Sequence, residues 1–208
     1  MKTTYDPSLT MQQARTLYFA VNKFGDSGGY DDAWVDFKLG PIPFPFPNTP
    51  GRIRAVKFHD LHHILTGYDT DLIGEFEISA WEIAAGCKDF YAAWALNLGG
   101  LVAGLLCAPR RITRAFARGL ASRSLYGQSL EALLAMPVGA ARAQFIAAEA
   151  PAMPRRGWVW LALSAVAGLV VGLTLFAAIL PLLPFGLLTN LLHKRSQAAV
   201  AGPASGPA

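Results

Sequence analysis

An all-α fold is expected: a single helical domain followed by a C-terminal apolar segment that spans a membrane or re-enters it. Three observations predict it. Apolar residues recur at helical spacing through most of residues 10–149, strand-like alternation is nearly absent, and residues 157–192 carry no formal charge. The 208 residues give length for one compact domain over 1–150, a membrane segment over 151–195, and a small-residue tail over 196–208 expected to be disordered.

Composition narrows the function classes. Hydrophobic residues make up 53% and charged residues 15%, which is apolar for a soluble protein. A net charge of +4 invites nucleic acid as a partner, but no DNA- or RNA-reading motif accompanies it, so nucleic acid is set aside. Cys87 and Cys107 make no disulfide framework and are expected to be reduced and buried. The opening MKTTYDPSLT lacks the apolar core of a secretory signal, which predicts that the domain stays in the cytoplasm.

The first helix is expected from Thr10 to Phe24. Thr10 and Gln13 form a capping-box pair, Ala14, Leu17, Tyr18 and Val21 follow at helical spacing, and Gly25 stops it. A long irregular stretch then leads into PIPFPFPNTP, where prolines remove backbone donors and favour extended structure. Phe44 and Phe46 alternate with those prolines, either as caps on the core or as the lining of a greasy entrance. Thr49 before Pro50 is an N-cap and first-turn signature, so a second helix runs to about Leu65 and ends at Thr66-Gly67. Thr70 or Asp69 can cap a third helix from about Asp71 to Ala85. A charge-free fourth stretch, Phe90 to Cys107, reads as a buried helix whose Gly100 and Gly104 either pack closely or leave room for a lipid chain. An Arg-rich helix near Pro109 to Ala121 follows, then short helices near Ser129 to Met136 and from Pro137 to about Glu149.

In the last apolar run, Gly157 to Leu180 suffices to cross about 30 Å of hydrocarbon. A break is expected at Pro181 and Pro184, followed by an interfacial piece; a re-entrant hairpin is the alternative. Trp158 and Trp160 sit where interfacial anchors belong.

The chemistry concentrates in the second and third helices. His59 and His63, four apart, project from one face and suit two imidazole nitrogens on one ion, and Asp60 lies beside that face. A His59/His62 pair is also sterically open, but His63 continues the apolar stripe of Ile53 and Val56. A short turn brings Glu75 towards the second helix. Two imidazoles with carboxylates suit zinc first, with iron, manganese or cobalt as alternatives, and the lack of thiolate argues against a closed structural zinc site. Asp71 and Glu82 are candidates to support these ligands, though surface acids are the plainer reading.

HDLHH at 59–63, eleven residues, then Glu75 reproduces HDxxHx11E. In this the chain resembles the ubiquinone (coenzyme Q) biosynthesis family whose eukaryotic member is the fourth-named coenzyme Q protein. Gly67, LIGE at 72–75, and the Arg/Gly-rich stretch from 114 to 145 extend the likeness over roughly residues 9 to 147. The resemblance implies an all-helical metalloprotein at the respiratory membrane with His59, Asp60, His63 and Glu75 as ligands. It implies action on polyprenylated hydroxybenzoates, including oxidative decarboxylation at the ring carboxyl carbon. The C-terminal apolar segment departs from the family's pattern.

Arg110, Arg111, Arg114, Arg118 and Arg123 crowd one stretch, and 111, 114 and 118 share a helical face suited to anionic lipid heads or to a substrate carboxylate. The expected setting is therefore the cytoplasmic face of a bacterial-type inner membrane. The expected partners are membrane lipid, a prenylated quinone precursor, other quinone-biosynthesis proteins or a membrane complex, and a second copy of the chain. A non-catalytic lipid-binding scaffold is the rival to a metal-dependent decarboxylase or hydroxylase.

Overall fold

The computed structural model describes residues 4–35, 38–39, 42–43 and 45–200. Phe44 and the end of the tail from 201 lie outside them, and side chains at 38, 39, 42, 43, 190 and 193–200 are not described.

Helix α1 (Met11–Asn22) opens with the predicted capping box: the Gln13 amide donates to Thr10 Oγ1 at 3.2 Å, and the Thr10 amide donates to Gln13 Oε1 at 2.9 Å. It buries Met11, Ala14, Tyr18 and Phe19, while Leu17 and Val21 face outward against expectation. The proline-rich stretch is more than extended coil. Two-residue strands β1 (Trp34–Val35) and β4 (Phe46–Pro47) pair antiparallel, enclosing a second pair, β2 (Lys38–Leu39) and β3 (Ile42–Pro43).

Helix α2 (Pro50–Thr66) is capped by Thr49 and ends on Gly67 at φ +73°, a conformation glycine adopts without steric cost. Helix α3 (Leu72–Ala85) is capped by Asp71, which accepts the Gly74 amide at 2.7 Å, whereas Thr70 turns away to Asn22. Helices α4 (Tyr91–Cys107) and α5 (Pro109–Leu120) flank α3, and the short α6 (Leu130–Ala135) and α7 (Val138–Phe145) close the body against α1 and α2. Trp81, Tyr126, Phe116, Met11, Leu61 and Ile64 are its fully buried centre.

Beyond the body, α8 (Arg155–Ile179) continues through a tight turn at 180–182 into α9 (Leu183–Val200). The backbone stays right-handed helical at Leu180 and Leu183, so no re-entrant reversal occurs there. Pro184 falls in the first turn of α9, where its missing N–H breaks no helical bond. Helix persists to Val200, past the expected start of the unstructured tail. The stretch Arg155–Thr189 is long and apolar enough to cross a membrane. Its 25-residue first part spans about 37 Å, more than a hydrocarbon core of about 30 Å.

This segment is not a free anchor. Gly157, Leu161, Ser164 and Gly168 form a buried stripe on α8, which packs along α4; a Cβ at Gly168 would meet the Leu98 carbonyl. The opposite face, with Val159, Leu163, Val166, Val170 and Leu173, is exposed. Helix α4 is accordingly half-sandwiched rather than fully buried: Ala93, Asn97 and Leu101 point inward, while Tyr91 and Leu106 are 81% and 82% exposed. Cys87 is buried as expected, but Cys107, at the outer end of α4, is exposed.

Candidate metal centre

His59 and His63 lie one turn apart on α2, and Glu75 enters from the first turn of α3. Their ligand atoms lie within 4.8 Å of one another. The two Nε2 atoms stand 3.1 Å apart; Glu75 Oε2 is 3.3 Å from His59 Nε2, and Oε1 is 3.4 Å from His63 Nε2.

The remaining nitrogens decide what this cluster needs. His63 Nδ1 faces the Tyr68 carbonyl at 3.0 Å, and a carbonyl only accepts, so Nδ1 carries a hydrogen. His59 Nδ1 faces Glu82 Oε1 at 2.9 Å and donates to it for the same reason. With neutral rings, both Nε2 lone pairs then converge with a carboxylate on one point. Acceptors alone repel, so the arrangement suits a shared metal ion or proton. Donors about 2.0–2.1 Å from a tetrahedral ion lie about 3.3–3.4 Å from each other, which the observed edges approach.

Without an ion a proton does that work. Burial disfavours a charged His59, but Glu82 and Glu75 outweigh it and hold its pKa well above the usual value. Burial likewise opposes ionised Glu75, yet His63 and His59 keep it below the ordinary carboxylate range.

Behind His59, Glu82 is fully buried and takes four donors. They are His59 Nδ1, His62 Nδ1 at 2.7 Å, the Tyr126 hydroxyl at 2.6 Å, and the Asn97 amide. Burial would raise its pKa, but His59 and His62 draw it well below normal. Such an outer carboxylate fixes the imidazole tautomer and ring direction at metal centres. Glu82 is thus not a surface acid; exposed Asp71 is, serving as the α3 cap.

His62 faces the other way. It is wholly buried, 4.9 Å from Trp81 by ring centroids, and its Nε2 accepts the Leu125 amide at 2.9 Å. Both nitrogens being used, the His59/His62 alternative is closed. Asp60 is the correction to the expected ligand set. One residue beyond His59 is about 100° around the helix, and its Oδ2 accepts the Tyr30 hydroxyl at 2.5 Å instead of joining the converging group.

His59, Glu75 and Glu82 also line a cavity of about 370 Å³, with Arg52, Asn97 and Tyr126 as the other polar side chains in a lining that is otherwise mostly apolar. Small residues of α4, Ala95, Gly99, Gly100 and Ala103, line it together with Gly172, Leu175, Phe176 and Ile179 of α8. Phe46 of β4 is among the lining residues. Gly100 does so too, although its own face packs on Ser79. Gly104 does not line the cavity. A Cβ there would come within 2.7 Å of Phe76 Cβ and 2.8 Å of Ile112, so it serves close helix packing.

On the basic face of α5, Arg111 and Arg114 are exposed while Arg118 turns into the body. Arg111 makes a two-pronged ion pair with Glu77 at 2.9 and 2.6 Å. Arg118 donates to the carbonyls of Ala147 and Thr66 and stacks on Tyr68. Of the three that share a face, Arg114 alone is exposed without a described bond.

Sequence reasoning passed over Tyr30, Asn97 and Tyr126, which reach the site through tertiary packing that no local pattern announces. No protein-family model, no curated protein and no solved structure matches this chain. What the chain displays is an all-α fold with an apolar C-terminal helix and a His59/His63/Glu75 group able to hold a metal ion.

Proposed function

We propose that the chain is a membrane-associated metalloprotein of ubiquinone biosynthesis that acts on a polyprenylated hydroxybenzoate at the His59/His63/Glu75 centre. The observation that carries this reading is the cavity, whose lining joins the ligand residues His59 and Glu75 to apolar residues of α4 and of the membrane-length helix α8. A polar aromatic head with a long apolar tail fits that pairing, and the HDxxHx11E spacing points to the same substrates.

Two histidines and one carboxylate leave coordination positions open, as in hydrolytic zinc sites and in iron(II) oxygenase sites. Zinc is accordingly the leading metal, with iron, manganese or cobalt as alternatives. Bound there, the ion supplies Lewis acidity towards a phenolate or carboxylate oxygen, and if it is iron, a place for oxygen. The reaction class replaces the ring carboxyl by hydroxyl and releases carbon dioxide. It consumes molecular oxygen and a two-electron donor, the second oxygen atom leaving as water. Glu82 and the Tyr68 carbonyl orient the His59 and His63 rings that would hold the ion, and the apolar α4 and α8 residues of the lining exclude water.

A second reading, a non-catalytic lipid-binding scaffold or accessory subunit of a membrane complex, is favoured by one observation. Every imidazole and carboxylate in the cavity wall is held by a partner, which leaves no free general base. The membrane is taken to be a bacterial-type inner membrane with the body on its cytoplasmic face.

Glu75→Ala should lose bound metal, measured by elemental mass spectrometry, and quinone production in cells. Normal quinone levels with an empty site would overturn the metal-centred reading. Turnover of a prenylated hydroxybenzoate by purified, metal-loaded protein separates enzyme from scaffold.

A further inference from the structure

Among the described residues lining the cavity, Arg52 is the one Lys or Arg. It stands two turns before His59 on the same face of α2, in line with Val56, so its charge and the metal ligands look into one space. The side chain is held in place on the outer side. Its Nη1 donates to Asn48 Oδ1 at 2.8 Å, and its guanidinium carbon lies 5.7 Å from the Phe46 ring centroid. Asn48 is itself anchored by the carbonyls of Gly29 and Asp32 at 3.1 and 2.7 Å.

A guanidinium carries five N–H donors, and Asn48 uses one. No ion pair to Arg52 occurs among the described residues. Other arginines behave differently: Arg54 pairs with Asp89, Arg111 with Glu77, and Arg142 donates to the carbonyls of Leu65 and Ile64. A half-buried guanidinium with spare donors beside an apolar space favours an oxyanion, because a planar fork matches a carboxylate or phosphate with two parallel bonds. Asp60 and Glu75 attract Arg52 electrostatically but neither pairs with it directly, Asp60 being bonded to Tyr30 and Glu75 to the histidines.

We propose that Arg52 is the head-group recognition residue of this cavity, selecting single-chain amphiphiles that carry an oxyanion, with the apolar chain lying along the lining residues of α4 and α8. This rests on the reading of the cavity as a lipid site and specifies what that lipid must carry.

The test offers the full chain, metal-loaded in detergent micelles, equal amounts of hexadecanoate and hexadecanol, and reads the bound ratio by native mass spectrometry. Wild type should favour the acid by about 10- to 100-fold. Arg52→Gln should bind the two almost equally with unchanged metal content, and Arg52→Lys should fall between, keeping the charge without the fork. Hexadecyl phosphate in place of the acid identifies the preferred head. Protein stripped of metal by chelator should keep most of the Arg52-dependent preference. A preference abolished by chelation yet untouched by Arg52→Gln would overturn the proposal, assigning head recognition to the metal. Equal binding of acid and alcohol by wild type would also overturn it while leaving the lipid site intact. Absence of binding by either amphiphile would instead sink the lipid-site reading itself.

Discussion

Glu82→Gln is the most informative single change at this centre. The substitution keeps the shape of the side chain but removes the charge that gathers His59, His62, Tyr126 and Asn97. One end of the new amide must present an NH2 group to donors, either the two imidazoles on Oε1 or the phenol and amide on Oε2. Bonds to a charged acceptor contribute about 1.5–3 kcal/mol each, but the carboxylate's burial cost offsets much of their sum. The net loss expected from disrupting one member of such a buried charged network is about 3–5 kcal/mol, a large part of the total stability of an ordinary domain. His59 would also lose the acceptor that directs its Nε2 at Glu75, lowering metal affinity by about 10- to 100-fold. Denaturant titration of the metal-free protein reads the first effect and competition with a chromophoric chelator reads the second. Unchanged affinity together with an unchanged midpoint would refute the claim that Glu82 orients His59.

Asp60→Asn should leave metal content unchanged, because Asp60 is bonded to Tyr30, and should cost about 1–3 kcal/mol through a weakened buried bond; elemental analysis and thermal unfolding check both, and metal loss would restore Asp60 to the ligand set. The pH dependence follows from His59, whose folded pKa is raised, so the metal-free protein gains from its protonation below about pH 6.5 and loses that gain as pH rises through the folded value. Metal competes with the same proton, so the rise in melting temperature on adding metal should grow with pH above about 6.5. Glu82 has the opposite sign. Its folded pKa is depressed, so its contribution is present above about pH 4.3 and disappears as pH falls through the folded value, which acid titration of the metal-free protein should show as lost stability.

Much was legible in the sequence because it depends on short-range physics. Helical periodicity, the Thr10/Gln13 box, Thr49-Pro50 and Gly67 place α1 and α2 to within a few residues. The four-residue spacing of His59 and His63 puts both rings on one face whatever surrounds them. The uncharged run from 157 marks α8 through solvation alone. Direction and partnership depend on what packs against each face, and there only the tertiary structure decides. Asp60 differs from His59 by a single helical step, and Tyr30 from a distant loop takes it out of the ligand group. Glu82 reads as an ordinary helical acid until α4 and Tyr126 enclose it. Gly100 and Gly104 are alike in sequence, yet one borders the cavity and the other is filled by Phe76 and Ile112. A dihedral preference or a hydropathy run acts within a few residues, whereas a carboxylate's role is set by the charges and donors that folding brings to it.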